Sequence, residues 1–496
     1  MQARIYFDGS EIPPSAFEDA VLRAASGFER LGVGEGDVVC LMLRNDPAYL
    51  EAIFGARRLG AYTCPVNWHF KADEAGWILR DSVAKVLVVQ SDLLLQIEGG
   101  IPPGVAVVEV DNAADAPKWR AWLASLPRHA GPERVARYSM PYTSGTTGRP
   151  KGVRRFAPNP EEAARSAGLM AENARRVYGL DPGGRALCSA PIYHSAPNTY
   201  VMQAVLLGTT LYLESKFDAE RTLQLIEKEK ITRAYLVPTM FSRMLKLPEA
   251  VKRRYDLSSM EFVVTIGSPC APEVKKAMID WWGPVIHESY GASELGLVTH
   301  ISPQESLERP GSAGRPIPGV RLKILDAEGE ELPPRSPGLV YARQMGSTDF
   351  TYNNNDEARR KLERDGLWTL GDMGWLDEDG YLYLSDRAVD MVISGGANIY
   401  PAEVEAALIV MPGVADCAVF GIPDAEFGES VAAAVQVQPG HVLTQESVKQ
   451  WLGERISNFK VPRLVVFHDE LPREDSGKIF KRKLRAPYWE KAGRKI

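Results

Sequence analysis

The stretch Tyr142-Thr-Ser-Gly-Thr-Thr-Gly-Arg-Pro-Lys-Gly-Val153 crowds hydroxyls, glycines and Lys151 into one loop. Such a loop can turn backbone N–H groups and hydroxyls toward phosphate oxygens while the lysine adds a point charge. It lacks the GxxxxGK(S/T) spacing of a Walker A loop. Taken alone such a run is more often a surface turn; Lys151 and the apparent strand before it reverse that and favour phosphate. In Glu288-Ser-Tyr-Gly-Ala-Ser-Glu294, Tyr290 has a face for stacking on a base. Ser293 has a hydroxyl for phosphate, and Glu294 offers the hard oxygen that Mg²⁺ prefers. The alternative is a strand-to-loop turn with an exposed acid.

Three further segments are weaker. Gly371-Asp372, with Asp386-Arg387 further on, supplies a carboxylate suited to paired ribose hydroxyls, or merely a surface ion pair. Ser394-Gly-Gly-Ala-Asn-Ile-Tyr-Pro-Ala-Glu-Val-Glu405 is a glycine-rich loop entering a helix. Leu471-Pro-Arg-Glu-Asp-Ser-Gly-Lys-Ile479 holds Lys478 on a second loop, where most lysines are simply solvated.

These segments need elements to hold them. Ser15-Ala-Phe-Glu18 has capping-box spacing ahead of a helical run of Phe17, Val21, Ala24, Phe28 and Leu31. Strand patterns at 37–44, 84–89, 209–213, 234–237 and 262–266 alternate with helical ones such as 49–59, predicting a mostly parallel sheet. From about residue 306 the texture turns to Gly, Pro and short β runs, predicting a small antiparallel unit to about 386. Beyond 387 the chain restarts as an α+β module. The fold class is therefore α/β, with a large N-terminal domain over 1–386 and a smaller C-terminal domain over 387–496.

With 496 residues the chain exceeds one hydrophobic core. A net charge of −6 and no long basic stripe argue against a nucleic-acid partner. Five scattered cysteines without a CxxC pair argue for a reducing compartment and against a disulfide scaffold or zinc site. No apolar run long enough to span a bilayer is present, so a cytoplasmic location is expected.

Together and in this order, the five segments resemble the acyl-CoA synthetase, luciferase and peptide-synthetase adenylation superfamily along nearly the whole chain. The resemblance implies ATP, Mg²⁺ and coenzyme A as partners of a small carboxylic acid. It implies acyl-AMP formation with pyrophosphate release, then transfer to CoA. Thr143, Ser144, Gly145, Thr146, Thr147 and Lys151 match the loop around the ATP phosphates. Tyr290 and Gly291 match the adenine site, with Gly267, Ser268 and Pro269 on its other side and Glu288 at the adenine amine. Ser293 and Glu294 match the phosphate and metal positions, Asp372 and Arg387 the ribose positions, and Lys478 the mobile catalytic lysine.

The family rotates its C-terminal domain between half-reactions, offering Gly395 and Gly396 to pantetheine. The matching hinge position is Val389, whose β-branch restricts it, so Ala388 and Asp390 are expected to share the swing. Leu370 and Ser293 replace threonines common in the family. The acyl pocket is expected at His194, Ser195, Ala196, Asn198, Gly267, Ser289 and Gly291, with His194 gating the carboxylate. Ser195 stands where amino-acid-activating relatives carry Asp, so an α-amino acid is not expected. Polarity from Ser195, Asn198 and Ser289 points to a short or substituted acid, with branched, aryl and medium-chain acids left open.

Other readings are an acyl-AMP ligase that loads a carrier protein, a luciferase-like oxygenase, and a silent acyl-nucleotide binder. A built-in carrier partner is not expected, since no carrier domain or its Ser attachment motif follows residue 496. The assembly is expected to be a monomer or homodimer.

Overall fold

Continuous apolar runs in the first half become strands buried on both faces. Val38–Met42 is buried at every position and sits centrally in a parallel sheet ordered Tyr62–Pro65, Val38–Met42, Ala84–Gln90, Ala106–Val110. That is the burial expected when helices cover both sides. The computed structural model describes the chain apart from residues 1–2, 113–115, 144–149, 388–389, 395–396, 425–426, 474–478 and 492–496. The side chains of Asp386, Arg387, Ile393, Ala397, Asn398 and Lys491 are also outside it.

A nine-stranded sheet forms the second layer. Its parallel centre runs through Ile286–Ala292, Phe262–Thr265, Arg233–Tyr235, Arg185–Cys188, Thr210–Leu213 and Ile5–Phe7. Gly296–Ile301, Arg315–Pro316 and Ser10–Ile12 add antiparallel edges. Parallel sheets hold ligands beyond the carboxyl ends of their strands, and the segments singled out above leave from there. The Gly267 loop follows Phe262–Thr265, and Tyr193-His194 follows Arg185–Cys188.

The helices have local causes. Pro160–Tyr178 is opened by an Asn159/Glu162 capping box with proline in the first turn, and is closed by Gly179 in the left-handed region. Ser195–Leu207 ends at Gly208 in the same way. The expected capping box at Ser15 is not formed. The helix starts two residues earlier, at Pro14, with Pro13 as its N-cap, because a proline pre-set to helical φ fixes the start.

The antiparallel unit comprises Val320–Leu325, Gly338–Gln344, Glu363–Arg364, Leu367–Leu376 and Leu382–Arg387. Arg315–Pro316 falls instead to the nine-stranded sheet, and Phe350–Tyr352 pairs with Lys151–Arg155. After residue 390 a separate sheet begins. It contains Val392–Ser394, Ala397–Ile399, Val414–Asp424, Gly428–Val437 and Leu464–His468, with the Pro401–Ile409 helix packed on Val414–Asp424. All five cysteines are unpaired and buried. Among the described residues, no helix is long and apolar enough to cross a membrane.

Candidate active site

Tyr142–Thr143 and Lys151–Arg155 form the two arms of a hairpin, with Thr143 opposite Lys151. The Tyr142 hydroxyl donates to Asp81 Oδ2 at 2.6 Å, and Asn353 Nδ2 donates to the Asp81 carbonyl, so the arms are anchored on both sides. Of the expected phosphate loop, Ser144, Gly145, Thr146 and Thr147 lie outside the described residues. Thr143 Oγ1 donates to Glu294 Oε1 at 3.1 Å, and the Tyr352 hydroxyl donates to the same oxygen at 3.0 Å. Glu294 Oε2 has no hydrogen-bond partner among the described residues.

Lys151 Nζ lies 5.2 Å from the centre of the Tyr352 ring and makes no ion pair among the described residues. Arg155 holds the far side. Its NH2 group donates to the carbonyls of Ser293 and Glu294 at 3.2 and 2.9 Å, and burial lowers its pKa. Glu294 is only 5% exposed, so the exposed-acid alternative fails. Hard oxygen on a buried, oriented carboxylate beside a hydroxyl is a fit for Mg²⁺. That ion characteristically takes one or two carboxylates and completes its shell with water and phosphate.

The base and sugar positions follow. Glu288 to Gly291 lie in the Ile286–Ala292 strand rather than in a turn, with a bulge between Tyr290 and Gly291. A Cβ on Gly291 would meet the Gly296 carbonyl oxygen at 2.5 Å, so the close hairpin requires glycine there. Gly267 has φ +110° and open space around it, and opens the Gly267-Ser268-Pro269 loop onto the cleft. The Glu288 carboxylate accepts the Cys270 backbone N–H at 3.2 Å and pairs with Lys275, which is itself buried. The Tyr290 hydroxyl donates to Asp372 Oδ2 at 2.5 Å. Asp372 stands directly opposite Arg387 across paired strands.

On the acid side, His194 is the N-cap of the Ser195–Leu207 helix without a side-chain cap bond, and its first turn faces the cleft. A helix N-terminus presents N–H groups to an anion. His194 packs on Tyr193, whose ring meets Trp68 edge-on at 6.4 Å. The Ser293 hydroxyl donates to the Ser195 hydroxyl at 2.8 Å, joining the expected phosphate position to the expected carboxylate position. Asn198 Nδ2 donates to the Ile192 carbonyl while its Oδ1 accepts from Ser139. The Ser289 hydroxyl donates to the Thr299 carbonyl at 2.5 Å. Asn198 and Ser289 therefore use their polar atoms inside the protein and do not set pocket polarity as expected. Ala196 lines the cleft and has no polar side chain to offer.

Thr143, Lys151, Glu288, Tyr290, Glu294, Asp372, His194 and Ser195 border one cleft of about 3360 Å³. Residues 4–349 match the model of the AMP-binding enzymes, and residues 403–478 match that of the AMP-binding enzyme C-terminal domain. The chain belongs to the AMP-binding enzyme family. It is 33% identical over 491 residues to the indoleacetate–CoA ligase of Aromatoleum aromaticum, covering 96% of this chain and 93% of that one. Among solved structures it resembles ATP-bound MatB from Rhodopseudomonas palustris. That likeness has a TM-score of 0.86 and 26% identity over 98% of this chain and 96% of the other. The apo form of MatB gives 0.76. The anthranilate–CoA ligase AuaEII in complex with anthranoyl-AMP gives 0.87, with 26% identity over 99% and 95%.

The C-terminal part of this AMP-binding enzyme closes one side of the cleft. Asp390, Tyr400, Arg473, Ile479 and Phe480 line it. Lys246 Nζ donates across to the Ala415 carbonyl at 2.6 Å. Asp390 pairs with Arg485 at 3.6 Å. Lys478, Gly395, Gly396, Ala388 and Val389 lie outside the described residues. Ser394 and Ala397, which flank the two glycines, are register partners in a hairpin.

Sequence reasoning missed Tyr352, Arg155 and Lys275. Lys275 left a signal, because it falls on the same helical face as Val274, Met278, Ile279 and Trp282, where a lysine calls for a buried partner. Tyr352 and Arg155 left none, since their roles arise from the pairing of strands nearly 200 positions apart.

Proposed function

We propose that this AMP-binding enzyme is an ATP-dependent acid–thiol ligase that turns a carboxylic acid into its acyl-AMP and then its CoA thioester. The acid's carboxylate oxygen attacks the α-phosphorus, and the bond to pyrophosphate breaks. The CoA thiol then attacks the acyl carbon, gives up its proton and expels AMP. The observation carrying this reading is the Ser293–Ser195 hydrogen bond, which joins a phosphate-facing strand end to a helix N-terminus suited to a carboxylate.

Attack of one anion on another needs positioning and charge neutralisation. In this reading Thr143 to Thr147 and Lys151 hold the phosphates. Tyr290, Gly291 and Gly267 to Pro269 sandwich the adenine with Glu288 at its amine, and Asp372 and Arg387 hold the ribose. Glu294 would hold Mg²⁺, which supplies neutralisation of phosphate charge; Thr143 and Tyr352 orient that carboxylate. His194 gates the acid, and Lys478 bridges carboxylate and α-phosphate.

Rotation about residues 387–390 then exchanges Lys478 for the Gly395-Gly396 loop, between domains over 1–386 and 387–496. The better match to ATP-bound than to apo MatB supports reading the present arrangement as the ATP-facing one. Relatives named for indoleacetate and anthranilate support an aryl or substituted acid. Five unpaired cysteines support a cytoplasmic location.

The test is Lys478→Ala. It should abolish pyrophosphate release from acid and ATP, yet leave CoA thioester formation from supplied acyl-AMP largely intact. Equal loss of both half-reactions would sink the two-arrangement scheme.

A further inference from the structure

Two amide side chains in the cleft have no role so far. Gln203, on the Ser195–Leu207 helix, is 6% exposed, and Asn173, on the Pro160–Tyr178 helix, is 7% exposed. The two helices pack together, and both residues line the cleft. Neither amide makes a hydrogen bond to any side chain or backbone group among the described residues.

One turn away on their cleft faces the neighbours are mostly apolar: Thr199, Leu206 and Leu207 beside Gln203, and Leu169 and Met170 beside Asn173. Neither amide is sealed from solvent, so both are open to the cleft, and a ligand group that bonds them takes the place of water there. The other polar side chains of the Ser195–Leu207 helix that line the cleft are already engaged. Thr199 Oγ1 donates to the Ser195 carbonyl, and Asn198 is bonded at both ends.

Gln203 lies nine residues beyond His194 on a helix rising about 1.5 Å per residue, or roughly 13 Å from the end where the carboxylate is read to sit. We infer that Gln203 and Asn173 form a specificity site for a hydroxyl carried at the far end of the acid from its carboxylate. This rests on the ligase reading above. A hydroxyl both donates and accepts, so it can give its proton to one amide carbonyl and take one from the other amide's NH₂. An alkyl or unsubstituted aryl acid fills the same space but leaves both amides unanswered, and sites built to bond a hydroxyl discriminate strongly against analogues lacking it.

The experiment compares matched acids: 4-hydroxycinnamate with cinnamate, and 12-hydroxydodecanoate with dodecanoate. Pyrophosphate release is followed with wild type, Gln203→Leu and Asn173→Leu. In at least one pair, wild type should favour the hydroxy acid by at least about tenfold in kcat/KM. Each variant should bring that ratio toward unity while keeping the rate on the deoxy acid, which also reports an intact fold. The proposal is overturned if wild type discriminates in neither pair, or if the preference survives in both variants.

Absence of pyrophosphate release with every acid would count against the ligase reading instead. Calorimetric titration of the same acids into wild type and both variants then reads the preference without catalysis. No binding by any of them overturns this inference too.

Discussion

Tyr290 and Asp372, on strands of two different sheets, are joined by a hydrogen bond of 2.5 Å from the phenol to the carboxylate. The ring read as the adenine platform is thus tied to the acid read as the ribose clamp before any nucleotide arrives. Tyr290→Phe keeps the ring and removes the bond, which to a charged acceptor is worth about 1.5–3 kcal/mol. KM for ATP should rise about tenfold or more with kcat little changed. An unchanged KM, read by initial rates at saturating acid, would show that the bond contributes nothing to nucleotide binding.

The Lys275–Glu288 pair is buried on both sides. Removing one member of such a pair strands the other charge at a cost of about 3–5 kcal/mol. Lys275→Met should therefore lose several kcal/mol in urea unfolding. The double variant Lys275→Met/Glu288→Gln should recover most of that loss. If Glu288 also recognises the adenine amine, the double variant refolds well yet discriminates ATP from GTP less than wild type does.

Much of the fold was legible because apolar runs and glycine or proline punctuation are local. The expected strands at 84–89 and 262–266 emerge as Ala84–Gln90 and Phe262–Thr265, and the expected helix at 49–59 as Pro47–Arg58. Residue types also marked Thr143, Glu294, Tyr290 and Asp372, which the structure brings together in bonded pairs. What stayed hidden was which polar atoms the protein uses itself. Asn198 and Ser289 read as pocket polarity, but their partners are the nearby Ile192 and Thr299 carbonyls, which only the folded turn and hairpin aim at them. Nothing in the sequence marks Gln203, since only the packing of two helices reveals that its amide meets no partner among the described residues.

Acid should weaken the hairpin that carries Glu288 and Tyr290. His287 Nδ1 and His300 Nε2 lie 3.1 Å apart. Burial, and secondarily the facing His300, holds His287 down to about 3; burial holds His300 down to about 4. Both are neutral when folded, and between those values and an ordinary 6.5 the unfolded chain binds more protons. Stability is thus full above pH 6.5 and is lost as pH falls through the interval, by about 2 kcal/mol at pH 5 for His300. His300→Gln, which cannot protonate, should flatten that loss in urea unfolding between pH 7 and 5. An unaltered slope would place the acid sensitivity elsewhere.

Lys246 reaches from the Pro238–Leu245 helix end to the Ala415 carbonyl of the C-terminal sheet. A half-exposed contact of this kind is worth about 0.5–1.5 kcal/mol. Lys246→Ala should slow pyrophosphate release about threefold to tenfold without slowing thioester formation from supplied acyl-AMP. If both half-reactions slow alike, the contact does not favour one arrangement over the other.

The buried cysteines have a consequence for an enzyme that makes acyl-adenylates, which are reactive acylating agents. Cys270 and Cys417 both border the cleft. Thiolates, not thiols, attack acyl groups. Burial raises the pKa of both far enough to keep them protonated, with Glu288 adding to the effect at Cys270 and Glu405 at Cys417. At these two positions the incoming CoA sulfur meets no thiolate rival, and neither cysteine is poised to be acylated by the enzyme's own intermediate.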